Sequence, residues 1–220
     1  MTRLEVDLLR NYPRAQRNLD EREMLKSRES REIARRFGVD YFDGDRAHGY
    51  GGFEYDARFW EPVLPDFVDH FELSAESSVL DVGCAKGFML YDLRRLLPGV
   101  TVAGVDISDY AIANALPEVR PFIQVANAKE LPFEDNSFDF VISINTVHNL
   151  NRADCKRALA EIERVSSRGA FVTVDAYRNP EEKVRMEKWN LTALTMMSTT
   201  DWEAFFEDSG YTGDYFWFIP

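Results

Sequence analysis

The hydrophobic pattern changes character near Leu73. Beyond that point short apolar runs alternate with amphipathic stretches, a rhythm that predicts βαβ units around a largely parallel sheet. Strands are expected at 78–82, 100–105, 122–125, 138–144 and 170–174, separated by helices near 87–97, 109–116 and 154–165. Ser108 and Asn151 stand where helix N-caps are wanted, and Pro98-Gly99 closes the first of these helices. In the tail, 181–190 and 200–209 read as helices, with Gly210 stopping the second, and 211–219 reads as a final aromatic strand taken to run antiparallel. Residues 191–198 fit a strand or a helix equally. Ahead of Leu73, residues 13–37 carry Leu19, Met24, Leu25, Ile33, Ala34 and Phe37 among charges, which predicts one or two surface helices entered at Pro13 and capped at Gly38. Phe59, Val63, Phe67 and Phe71 predict a helix over 58–71 whose first turns Pro62 and Pro65 disturb. Between these, residues 41–56 follow neither period, and their four glycines and five aromatics read as a loop. The chain therefore divides into an N-terminal helical arm with a lid loop, 1–73, and an α/β body, 74–220.

Composition narrows the functions. At 220 residues the chain suits one domain with an appended subdomain, since domains run to roughly 100–200 residues. No apolar run is long enough for a membrane span, and the start lacks the apolar stretch of a secretory signal, so a cytoplasmic location without a membrane partner is expected. Two cysteines, Cys84 and Cys155, and three histidines, His48, His70 and His148, show no metal-ligand spacing. The net charge of −12 argues against a nucleic-acid partner. That charge is uneven: residues 1–40 hold ten Lys and Arg against eight Asp and Glu, so the acidic excess belongs to the remainder.

The most informative segment is Val79-Leu80-Asp81-Val82-Gly83-Cys84-Ala85-Lys86-Gly87-Phe88, an apolar strand that enters small residues and then a helix. Gly83 and Gly87 let a ligand approach the backbone at the carboxyl edge of the sheet, where open α/β folds bind. The same turn can be purely structural. Ala85 and Phe88 stand where a dinucleotide fingerprint starting at Gly83 needs glycine, so that cofactor fits poorly. The next strand ends in Asp106, 23 residues beyond Gly83, at the distance where a carboxylate can accept both hydroxyls of a ribose. Asp106 also reads as a simple acid at a helix start. A third element follows, Val125-Ala126-Asn127-Ala128-Lys129, before the Asn136-to-Val141 strand entry.

In the order of these motifs the chain resembles the class I S-adenosylmethionine (SAM) dependent methyltransferase family, clearly over 77 to about 176. The resemblance implies a Rossmann-like doubly wound sheet, mostly parallel with an antiparallel C-terminal strand, and SAM as cofactor. It also implies that Gly83, Cys84, Ala85 and Gly87 pack against the methionine part, with Asp81 holding its amino group. Asp106 would take the ribose, Ile107 would flank the adenine, Asn127 and Ala128 would meet its edge, and Asn145 would lie near the methionine moiety. Two positions depart from the family's habit, which often has glycine at Ala85 and aspartate at Asn127.

Methyl transfer mainly requires alignment, because the sulfonium leaving group is already activated. Candidates for chemistry project from the ends of the fourth and fifth strands: His148 as a proton acceptor, and Tyr177 as a substrate-orienting ring. Each reads equally as a structural residue. Lys86 reads as a solvated helix residue. Tyr50, Phe53 and Tyr55 in the glycine-rich loop are the expected lid, and Arg58 the expected partner of the SAM carboxylate. The leading function is methylation of an oxygen or nitrogen of a small molecule. The alternatives are a SAM-using enzyme that breaks another bond and releases methylthioadenosine, and a silent SAM-binding scaffold whose aromatic arm makes a homodimer contact.

Overall fold

The computed structural model describes residues 3–13 and 18–220 of the chain. Its sheet contains β1 (Ser78–Val82), β2 (Thr101–Asp106), β3 (Ile123–Val125), β4 (Phe138–Ile144), β5 (Ser166–Tyr177), β6 (Met197–Ser198) and β7 (Asp214–Phe218). The helices are α1 (Leu19–Met24), α2 (Arg28–Ala34), α3 (Val39–Phe42), α4 (Leu64–Phe71), α5 (Phe88–Leu96), α6 (Asp109–Ala113), α7 (Arg152–Val165), α8 (Pro180–Trp189) and α9 (Thr199–Ser209). Strand order is β3-β2-β1-β4-β5, and both β6 and β7 pair with β5.

Alternation along the central strands explains why helices cover both faces. Leu80, Val82, Val141, Val172 and Val174 turn one way, onto Leu159 and Ile162 of α7 and Trp202 and Phe206 of α9. Val79, Phe140, Ile142 and Phe171 turn the other way, onto Phe67 and Phe71 of α4 and Met89 and Leu93 of α5. A parallel sheet apolar on both sides is stable only when both are buried.

The C-terminal strand runs parallel, not antiparallel as expected. Residues Phe171 to Asp175 pair in parallel register with Asp214 to Phe218. The cause is α9. After β6 pairs beside Ala176 and Tyr177 at the carboxyl end of β5, the eleven-residue α9 carries the chain back by about 16 Å at 1.5 Å per residue. Gly210 then caps α9, and the chain re-enters the sheet in the direction of β5. The strand itself starts at Asp214, later than the expected 211.

Other departures are local. The predicted 13–37 helix is two short helices, with Ser27 capping the second through the Ser30 amide, and residues 14–17 lie outside the described residues. The 58–71 helix begins only at Leu64, with Pro65 in its first turn. The expected 41–56 loop loses its first two residues to the single turn of α3, and 191–198 is irregular apart from the two residues of β6. Ser108 and Asn151 cap α6 and α7 as expected. The amino-terminal strand-like segment lies along β7: Val6 N–H donates to the Tyr215 carbonyl at 2.9 Å, and Tyr215 N–H to the Leu4 carbonyl at 3.0 Å.

Candidate functional site

The carboxyl ends of β1, β2, β4 and β5 open into one cleft of about 1020 Å³. Its sequence logic starts at the β1–α5 turn. The N–H groups of Gly83 and Cys84 both donate to the Val105 carbonyl at 2.7 and 3.0 Å, which staples the turn to β2. Gly83 adopts φ +92°, and a Cβ there would lie 2.0 Å from Thr146 Oγ1, so only glycine fits. Ala85 also sits at positive φ, +49°, a conformation that costs an L-residue roughly 1–2 kcal/mol. It is held there by donating its N–H to Asp106 Oδ2 at 2.8 Å.

Asp106 accepts a second N–H, from Ser108, on Oδ1 at 2.9 Å. A carboxylate offers about four acceptor sites, so acceptor capacity remains beyond these backbone donors. Burial raises its pKa, against the pull of these N–H groups. Asp81, on β1 in the same cleft, is buried and accepts no hydrogen bond among the described residues. Burial, with the charge of Asp106 adding, pushes its pKa up to about 8. The floor of the cleft thus holds two carboxylates close enough to repel, one of them without compensation, which suits a ligand that brings positive charge and hydroxyl donors.

Asn145, at φ +52° after β4, is clamped by β5: its N–H donates to Thr173 Oγ1 at 2.9 Å, and that hydroxyl donates to Asn145 Oδ1 at 2.9 Å. The Asn127 side chain accepts from Lys129 N–H at 3.2 Å, and Ile107 is exposed at the cleft wall beside Ala128.

The structure brings Asp81, Gly83, Cys84, Ala85, Asp106, Ile107, Asn127, Ala128, Asn145, His148, Tyr50 and Phe53 to this cleft. Gly87 stands just behind it as the N-cap of α5. Three expected residues lie elsewhere. Arg58 is largely exposed, paired with Asp56 at 2.8 Å and stacked on Phe59, while Trp60 is the residue of the same turns that lines the cleft. Tyr55 donates to Asp92 Oδ1 on α5 at 2.6 Å, and its pKa rises to about 12 through burial and that acid. Tyr177 lies past the cleft at the strand end, with the Lys183 ammonium 5.6 Å from its ring centre.

His148 reaches the cleft in a different chemical state from the one expected. Its Nδ1 accepts the Asp175 N–H at 3.1 Å, so the neutral ring carries its proton on Nε2, which faces Asp175 Oδ1 at 3.8 Å. Burial lowers its pKa. The ring positions the end of β5 and holds no free lone pair for a substrate proton.

Several cleft groups escaped the sequence reading. Lys86 is buried rather than solvated: its ammonium donates to Asp43 Oδ2 at 2.7 Å and to the Phe53 carbonyl at 2.8 Å. Asp43 also accepts from the Tyr110 hydroxyl at 2.7 Å and from Phe53 N–H at 2.8 Å. Asp175 lines the cleft where Tyr177 was expected to, and the period-two alternation starting from Thr173 is the signal that marks it. Among the described residues no group of His, Cys, Asp and Glu is placed to hold a metal, and no helix is long and apolar enough to cross a membrane.

Comparison with known proteins agrees with this geometry. Residues 80–174 match the family described as a methyltransferase domain. An uncharacterized protein of Haemophilus influenzae is 31% identical over 150 residues, 63% of this chain and 59% of that protein. The demethylmenaquinone methyltransferase of Symbiobacterium thermophilum is 32% identical over 126 residues, 53% of this chain and 49% of the relative. The chain therefore spans only about half to three fifths of the length of these relatives. A phosphoethanolamine N-methyltransferase of Haemonchus contortus, solved with phosphomonomethylethanolamine and S-adenosylhomocysteine, superposes with a TM-score of 0.58 over 80% of this chain and 44% of its own. At 20% identity that likeness is one of fold.

Proposed function

We propose, from the match of residues 80–174 to the methyltransferase-domain family and from the geometry of the cleft, that the protein is a class I SAM-dependent methyltransferase that methylates an oxygen or nitrogen nucleophile of a small molecule. The observation that carries the reading is the pair of carboxylates at the cleft floor. Asp81, buried and without a side-chain hydrogen bond among the described residues, suits the amino group of the methionine moiety, and Asp106, held by backbone N–H groups at the end of β2, suits the ribose hydroxyls. Gly83, Cys84 and Ala85 leave backbone space beside them, and Ile107, Asn127 and Ala128 line the side where the adenine belongs. When bound, SAM supplies a methyl group on a positively charged sulfur, ready for in-line displacement.

The remaining cleft supports a small acceptor. Binding sites for small molecules span about 300–1,000 Å³, so a cleft of about 1020 Å³ has room for a cofactor and an acceptor together. Tyr50 and Phe53 of the loop face the cleft, ring centres 4.3 Å apart, and Phe53 continues onto Phe88 of α5 at 5.0 Å. These rings give the cleft an apolar flank for an acceptor to lie against. The net charge of −12 leaves a polyanionic acceptor without an attracting field.

The test is cofactor affinity in an Asp106→Ala variant. Calorimetric titration with SAM should show affinity falling at least tenfold, because two charge-assisted hydrogen bonds disappear. Unchanged affinity would remove SAM from this cleft.

A further inference from the structure

The end of the cleft farthest from Asp106 is formed by the edge of the sheet, and its chemistry follows from the parallel direction of β7. Register places Asp175 beside Phe218 and Thr173 beside Phe216. Partners in a parallel pair point to the same face, so these four side chains share one surface, and all four line the cleft. An antiparallel β7 would have sent its carboxyl end to the amino ends of the other strands, away from the cleft. Trp189, the last residue of α8, lies against Phe218 with ring centres 5.1 Å apart and planes inclined at 40°, and it lines the cleft as well.

Asp175 is fixed from two directions. His148 Nδ1 receives its N–H at 3.1 Å, and the indole N–H of buried Trp202 donates to its carbonyl at 3.0 Å. These bonds hold the main chain of Asp175, whose side chain lines the same compartment of the cleft as Phe218 and Trp189, at the end formed by β5 and β7.

We propose that this compartment takes an aromatic ring bearing a hydroxyl or amino nucleophile, with the ring against Trp189 and Phe218 and the nucleophile's hydrogen on the Asp175 carboxylate. The inference rests on the methyltransferase reading and adds the acceptor class and the proton acceptor. As the nucleophile's lone pair forms its bond to the methyl carbon, the carbon–sulfur bond breaks and its electron pair stays on sulfur as a neutral thioether. The proton displaced from oxygen or nitrogen passes to an Asp175 oxygen. A flat ring matches the wall better than a saturated one of equal size, because aromatic pairs gain beyond the area they bury, about threefold to tenfold in affinity. His148 acts on this step only through the position of Asp175.

The experiment uses matched probes: p-cresol and p-toluidine against 4-methylcyclohexanol and 4-methylcyclohexylamine. Each is titrated calorimetrically into the full chain saturated with S-adenosylhomocysteine, and S-adenosylhomocysteine formation from SAM is followed separately. The aromatic probes should bind about tenfold more tightly than the saturated ones, and Trp189→Leu and Phe218→Leu should each reduce that preference. Asp175→Asn should leave ring affinity within about threefold while lowering kcat about a hundredfold. Equal affinity for the two probe classes, no binding of either aromatic probe, binding without turnover, or an unchanged kcat in Asp175→Asn would each overturn the proposal. A chain that does not bind S-adenosylhomocysteine at all fails one step earlier, at the methyltransferase reading, and the first titration identifies that case.

Discussion

Asp81 has the highest stakes of any side chain in the cleft. A carboxyl group with pKa about 8 is mostly protonated at neutral pH, and an arriving ammonium reverses that state. Cofactor binding near pH 7 should therefore release close to one proton, measured by repeating calorimetric titrations in buffers of different ionisation enthalpy, and Asp81→Asn should abolish the release. The sign for stability is opposite to that of an ordinary surface acid. Because the folded pKa lies above the unfolded value of 3.8, Asp81 favours the fold below about pH 4, and that contribution is lost as pH rises towards 8. At this scale much of the site was readable in the sequence. Gly83 and Asp106 are marked by strand-end position and spacing, and Asp81 by the family resemblance. Arg58 and Tyr55 lie in turns that carry no period, so their direction was not legible, whereas Tyr177 keeps the alternation of Thr173 and Asp175 and stands one step past the cleft.

At the scale of elements, the loop over the cleft is fastened to the glycine turn itself. Lys86, between Ala85 and Gly87, carries Asp43 and the Phe53 carbonyl on its ammonium, and Ser108 Oγ donates to the Phe37 carbonyl. A shift in the turn is therefore felt directly by the aromatic cover. Replacing one partner of a largely buried ion pair leaves the other uncompensated. Lys86→Met should lower stability by about 1–3 kcal/mol and speed SAM release, and a double-mutant cycle with Asp43→Asn in thermal melts should return a coupling energy of the same order. Coupling near zero would mean that the loop is held by its aromatic contacts alone. Sequence could not show this pair, because Asp43 and Lys86 are joined only by the tertiary fold. The parallel β7 was hidden for a related reason. An aromatic run predicts a strand, but its direction is set by whether α9 intervenes as a return crossover, and an eleven-residue helix after a two-residue strand gives no pattern that fixes it.

Across the whole molecule, the uneven charge has a specific use. Cations of the arm bind backbone carbonyls where α8 ends: Lys26 donates to Lys188 and Trp189, Arg31 to Asn190 at 2.7 Å, and Arg35 to Thr192 at 3.2 Å. The end of a helix exposes unpaired carbonyls and a partial negative charge, so these cations satisfy it and hold the arm beside Trp189 at the cleft edge. The sequence showed the near-neutral arm and the acidic body but not this contact, since its acceptors are main-chain atoms. Arm, glycine turn and sheet edge thus converge on one cleft, and the account stands or falls on what that cleft does with its cofactor. The most direct measurement incubates the purified protein with SAM, with and without a small-molecule extract, and identifies the products by mass spectrometry. Extract-dependent S-adenosylhomocysteine, matched by a methylated acceptor, is the predicted result. Methylthioadenosine, or SAM recovered unchanged in every extract, would contradict it.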